Sequence, residues 1–212
     1  YARLLTKYSE QVYAFEPEKE NFRYLKEVMR QKNLKLYNLA ISNKNNSSIL
    51  YIPKFKNGKN SAMSSLNKSF QNNLKNSIKF ISQKVKSITL DNFVRKNNIN
   101  KVDFIKIDVE GHELPILKNS TLILRKYKPI FMIEILKDGK KKYRKVFQFM
   151  KQHNYSSFYL SRKTIKFVRC SQYDVEKFQS TKNKLIKDNN FFDQNLIQNF
   201  FFFPDKKKIK NT

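Results

Sequence analysis

Glycine is nearly missing from this chain. Its 212 residues hold only Gly58, Gly111 and Gly139, so no G-x-G-x-x-G turn of the kind that cradles a dinucleotide can be built within it. Cysteine is scarcer still. The lone Cys170 excludes an internal disulfide framework, and no C-x-x-C pair or His-rich stretch offers zinc ligands. No metal is expected, and cysteine use fits a reducing, cytoplasmic setting. No apolar run approaches the roughly 20 residues of a membrane span. The start at Tyr1, with no charged-then-apolar leader, reads as a soluble fragment of a longer frame.

Acidic residues are the third scarcity. Seventeen Asp plus Glu face 44 Lys plus Arg, for a net charge of +27, which suggests a polyanionic partner such as RNA, DNA or an anionic membrane surface. The lysines, however, are spread along the whole chain together with abundant Asn, Ile, Phe and Tyr, rather than segregated into a stripe. Nucleic acid is therefore the less favoured partner. The length suits a single domain spanning residues 1–212, and nothing in it specifies an oligomeric state.

What is present alternates between two periods. "YARLLTKYS" (1–9) reads as the tail of an amphipathic helix, "QVYAFEPE" (11–18) as a strand halted by Pro17, and "ENFRYLKEVMRQKN" (20–33) as a helix. Strands are expected over 34–42, 49–55, 85–90, 101–109, 128–136, 156–161 and 199–205, and helices over 91–98, 111–120 and 141–155. Asp91 is the expected N-cap of the first of these helices. Pro115 suits the first turn of the second, and Asn119 its left-handed C-terminal position. Residues 56–78 read as a loop or lid, and 162–197 as a loose charged segment. Strands alternating with helices imply a mostly parallel sheet covered on both faces, with a late antiparallel hairpin formed by the last two strands.

On that layout the scarce acids gather at strand ends. Glu16 follows "VYAF", Asp108 and Glu110 follow "FIKI", and Glu134 lies near the end of "PIFMI". In open α/β sheets this carboxyl edge is where ligands bind. Each acid alone reads equally as a turn, a cap or a lysine partner, with Glu113 as a favourable charge near a helix N-terminus; four at one edge point to a site. His112 reads either as a second base or substrate donor beside these acids or as an ordinary helix-start residue.

The segments "VYAFEPEKENFRYLKE", "NLAISN", "SITLDNFV", "FIKIDVEGHELPILKNS" and "KPIFMIEI", in that order, resemble the FkbM family of S-adenosylmethionine-dependent methyltransferases. The likeness spans about residues 1–136, and "NFFFFPD" is similar to the family's last strand. It implies a Rossmann-like class I methyltransferase fold and methyl transfer to a hydroxyl of a saccharide, glycoconjugate or related small molecule. By position, Glu16 with Pro17 is implied to hold the cofactor ribose, and Asn38 and Ala40 to lie near the adenine. Asp108 and Glu110 are implied to line the acceptor pocket, Asp108 also bordering the cofactor, with His112 beside them as the further catalytic candidate. The family's first strand and Gly-rich turn have no counterpart after Tyr1, so the 212 residues alone are expected to be inactive. Two alternatives stand beside this reading: an RNA-directed methyltransferase of the same fold, although no N-P-P-Y-type segment is present, and a non-catalytic polyanion-binding module.

Overall fold

The computed structural model describes residues 1–55, 58–59, 63–68, 78–137, 141–161, 163–179 and 197–205. Much of the expected loop over 56–78, and residues 162 and 180–196 of the segment over 162–197, therefore lie outside the described residues. The chain forms two compact units, Tyr1–Asn98 with Pro115–Ser120, and Ile99–Leu114 with Thr121–Thr212.

The first unit opens with α1 (Ala2–Leu5), β1 (Val12–Phe15) and α2 (Lys19–Val28). Pro17 ends β1, and the buried Glu18 caps α2 by accepting from Asn21 N at 2.7 Å. The expected strand over 34–42 is broken in two. β2 (Leu34–Tyr37) runs parallel to β1, whereas β3 (Ala40–Ile41) joins a different sheet. The break has a visible cause: Leu39 N turns back on Tyr37 O at 3.0 Å, while Asn38 Nδ2 donates to Glu16 O at 2.9 Å and Pro17 O at 3.1 Å.

The second sheet of this unit has the order β3, β6 (Lys79–Ile88), β4 (Asn46–Phe55), β5 (Gly58–Lys59). β4 and β6 form a long antiparallel ribbon that buries Leu50, Ile52 and Val85 with Ala40. In α3 (Leu90–Lys96) the N-cap is Thr89, whose Oγ1 accepts from Asn92 N, and not Asp91. Asp91 falls inside the first turn, where a carboxylate favours the helix dipole.

The second unit carries one five-stranded sheet, ordered β7 (Phe104–Ile107), β8 (Ile130–Glu134), β11 (Asn199–Pro204), β9 (Tyr155–Ser161), β10 (Lys166–Arg169). Phe200 and Phe202 point to one face of β11 and meet Phe147 of α5 (Tyr143–Gln152) edge-on, with ring centroids 5.4 and 5.3 Å away. All three are buried, as are Phe131, Ile133 and Met150. This is a period-2 strand face closed by a period-3.6 helix face. β10 and α6 (Gln172–Gln179) lie within the segment expected to be loose. Their signals are weak because β10 is exposed along its whole length and α6 buries only Val175 and Gln179.

The fold is thus α/β with mixed sheets, which corrects the expectation of a mostly parallel sheet. Among the described residues β1 with β2, β3 with β6, and β7 with β8 are parallel; every other pairing is antiparallel. Alternation of strands and helices predicts parallel crossovers only where a helix joins the two strands, whereas β4 and β6 pair antiparallel. The last two expected strands do pair antiparallel, as β9 with β11. A short helix, α4 (Glu113–Lys118), follows β7, with Pro115 in its first turn. Asn119 does not take the left-handed conformation at its end; its side chain instead bonds back to Pro115 O at 3.0 Å. A π-helical turn over Ile123–Tyr127 then precedes β8. Among the described residues no helix is long and apolar enough to cross a membrane.

Candidate functional site

The residues singled out above fall into two groups, one in each unit. In the first unit Glu16 stands immediately beyond the C-terminal end of β1. Its Oε1 accepts from Glu18 N at 2.8 Å, and the Asn21 side chain also bonds to it. Burial nevertheless raises its pKa above the ordinary carboxylate value, outweighing both hydrogen bonds. A desolvated carboxylate with unfilled acceptor capacity suits a ligand that brings hydroxyl donors, so Glu16 fits a ribose.

Pro17 and Asn38 line a hollow of about 380 Å³ whose wall also includes Lys19, Lys84 and Lys86. Asn38 is engaged through its amide in holding the loop after β1, and Ala40 is 3% exposed in the core formed with Leu50, Ile52 and Val85. Near an adenine, Asn38 would therefore act through the shape of that loop.

The second group sits where β7 and β8 end. The two strands are parallel, with Ile107 paired to Ile133, so the residues just after them come to one edge. There Asp108, Glu110 and Glu134 bring carboxylate oxygens within 4.8 Å of one another. Lys106, two residues before Asp108 and hence on the same face of the strand, places Nζ 2.7 Å from Asp108 Oδ2. Its side chain is only 11% exposed, so this ammonium is held by the acid it neutralises. The Asp108 and Glu134 carboxyls lie side by side, close enough to interact as a pair.

Two carboxyls so placed cannot both ionise freely. Burial and the neighbouring Asp108 push Glu134 up to about 8, so it holds the proton at neutral pH. Asp108 falls below its usual value: burial opposes ionisation, but the hydrogen bonds from Glu134 and Lys106 outweigh it. The spacing of the three acids is one a divalent ion also accepts. Here the Lys106 ammonium is paired with Asp108.

The chain turns sharply beyond Asp108. Glu110 and Gly111 both have positive φ, 50° and 90°; glycine takes the second without cost, and Glu110 is held in a conformation that disfavours a Cβ. Gly111 N donates to Glu113 Oε1 at 2.8 Å, and burial, with Glu110 and Asp108 nearby, pushes Glu113 up to about 7. Burial pushes His112 down to about 4, so its imidazole is neutral at physiological pH.

Sequence reasoning missed Lys106, although the i, i+2 spacing to Asp108 was a readable signal. It also missed Asn199, which lies directly opposite Glu134 in the antiparallel pair and whose Oδ1 is buried without a partner. That placement depends on a pairing between distant strands and left no local trace.

Carboxylates stand just beyond β1 and β7 and at the last residue of β8, at the carboxyl edge where open α/β sheets bind ligands. Residues 1–157 match the model of the methyltransferase FkbM domain, and the chain belongs to that family of methyltransferases, which generally use S-adenosylmethionine. Among solved structures it is similar to methyltransferase FkbM from Methylobacillus flagellatus KT, at 12% identity and a TM-score of 0.42. That likeness covers 92% of this chain and 36% of the other, so the chain spans about a third of that protein's length. None of the curated proteins matches it.

Proposed function

We propose that the chain forms part of an S-adenosylmethionine-dependent O-methyltransferase whose acceptor is a hydroxyl of a saccharide, glycoconjugate or related small molecule, acting in the cytoplasm. The observation that carries this reading is the half-exposed Asp108, paired with Lys106 and within 4.8 Å of Glu134, at the strand edge of an FkbM domain. The cofactor supplies an activated methyl group on a sulfonium. The residues of this chain would do the rest.

Glu16 accepts hydrogen bonds from the two ribose hydroxyls and so fixes the cofactor's position. Asp108 accepts a hydrogen bond from the acceptor hydroxyl and orients its lone pair for in-line displacement. Asp108 would take the hydroxyl proton as the oxygen receives the methyl group, the cofactor's sulfur being the leaving group. An oxygen that is gaining a methyl group is strongly acidic, so a carboxylate of depressed basicity still takes its proton. Glu110 and the neutral His112 border this centre. The acids also favour a cationic cofactor electrostatically.

The test is methyl transfer from tritiated S-adenosylmethionine by the full-length protein to a panel of methyl glycosides, with transfer RNA as the competing acceptor. Label in a glycoside supports the reading. Label in RNA alone overturns it in favour of an RNA-directed enzyme. If the cofactor is not bound and RNA binding falls steeply with salt regardless of sequence, the protein is a polyanion-binding module.

A further inference from the structure

We propose that Glu134 is a positioning residue for Asp108, donating the hydrogen of its carboxyl group to that carboxylate and so fixing which Asp108 lone pairs face the acceptor hydroxyl. The proposal rests on the reading of Asp108 as the base of methyl transfer. It extends that reading to a residue on a different strand, where a lysine partner or a plain edge residue was the simpler expectation.

The geometry comes first. Parallel pairing of β7 with β8 places Glu134 beside Asp108, with carboxylate oxygens of the two within 4.8 Å. Two carboxylates cannot bond to each other without a proton between them, so one acid must be the donor. Lys106 decides which. Its ammonium lies on Asp108, 2.7 Å from Oδ2, and stabilises the ionised form there. The donor is then Glu134. The charged groups facing Glu134 are Asp108 and Lys106 from β7 and Glu110 from the turn after it. From β11 the directly opposing residue is the neutral Asn199, which offers no cation to draw the proton away.

The consequence is a division of labour between two acids of the same chemistry. Asp108 is held at two points, by an ammonium and by a carboxyl hydrogen, so its remaining lone pairs point in a set direction. Glu134 neither loses its proton nor touches the reacting atoms in the cycle. When alkali removes the proton, the pair becomes two like charges in contact and the orientation is lost. The rate should therefore fall as pH rises through about 8, the value at which Glu134 ionises.

Glu134→Gln keeps a neutral donor of the same shape, and Glu134→Ala removes it. In the full-length protein carrying carboxyl ¹³C labels on Asp and Glu, the Gln variant should leave the titration of Asp108 where it is in the wild type. The Ala variant should move that titration up toward the ordinary aspartate range. An Asp108 titration unmoved in Glu134→Ala shows that Lys106 alone sets it and overturns the proposal.

This arm needs neither cofactor nor acceptor, so it decides the Asp108–Glu134 bond even if the glycoside panel refutes methyl transfer. With a methylated glycoside in hand, Glu134→Ala should lower kcat about ten-fold or more, whereas Glu134→Gln should stay within about three-fold and lose the alkaline fall. A Gln variant as impaired as the Ala variant, or one that keeps the alkaline fall, overturns it.

Discussion

Lys106 and Asp108 form an ion pair of 2.7 Å between two residues on the same face of one strand, and the lysine is the more deeply buried partner. Removing the acid outright would strand a buried ammonium, which is far more costly than weakening an exposed pair. Asp108 therefore carries two loads, one structural and one chemical, and variants must be chosen to separate them.

Asp108→Asn keeps an acceptor for Lys106 while removing the base. It should lower kcat by roughly 10² to 10⁴ and leave cofactor affinity within a few-fold. Steady-state kinetics on a methylated glycoside, beside calorimetry of cofactor binding, checks both halves. Near-normal turnover would return Asp108 to a purely structural role.

Glu16→Ala should weaken cofactor binding by about 2 to 3 kcal/mol, because charge-assisted hydrogen bonds to two hydroxyls are lost. Calorimetry with S-adenosylmethionine on the folded variant reads this directly. Unchanged affinity would remove Glu16 from the cofactor site.

Asn38→Ala deletes the two hydrogen bonds that tie residue 38 to the carbonyls of Glu16 and Pro17. The expected cost is about 1 to 2 kcal/mol of stability, accompanied by weaker cofactor binding because Glu16 loses its anchored loop. Thermal melts and calorimetry should move together. A loss of affinity at unchanged melting temperature would instead mark Asn38 as a direct contact.

The stability of the protein should respond to pH through Glu113. Its folded-state pKa, about 7, is raised above the ordinary 4.5 by burial first and by the neighbouring acids second. The folded state thus binds more protons than the unfolded state between those values, and this contribution, complete below 4.5, is lost as pH rises through 7. His112 works in the opposite sense, its burial costing stability as pH falls from 6.5 toward 4. Melting temperatures of the wild type and Glu113→Gln, compared from pH 4.5 to 8, should agree at the acid end and separate as pH rises through 7, where only the wild type loses stability. Parallel profiles would show that Glu113 is not titrating in that window.

Much of the fold was legible because local patterns were strong. "VYAF", "FIKI" and "PIFMI" are runs of β-formers bounded by polar residues, and each ends at or next to an acid, so the carboxyl edge could be placed before any pairing was known. "YRKVFQFMKQ" has its apolar residues at helical spacing, and α5 follows them. The misreadings share a cause. β2 and β3 read as one strand because their apolar pattern is continuous, while the break is made by the Asn38 side chain reaching back more than 20 residues to the loop after β1. β10 and α6 bury too little to show a period.

The sequence by itself determined which chemistry is available: a few acids in a basic chain, gathered at strand ends, in the order of an FkbM domain. Which of those acids is ionised was decided only by tertiary structure. Asp108 and Glu134 are equivalent carboxylic acids as far as the sequence is concerned, 26 residues apart. Parallel pairing of β7 with β8 brings them into contact, and burial makes their joint ionisation unfavourable. The ammonium of Lys106, on the same strand face as Asp108, then settles where the proton resides. Propensity and period act over a few residues, whereas desolvation and Coulomb energy depend on distances that only the folded chain defines.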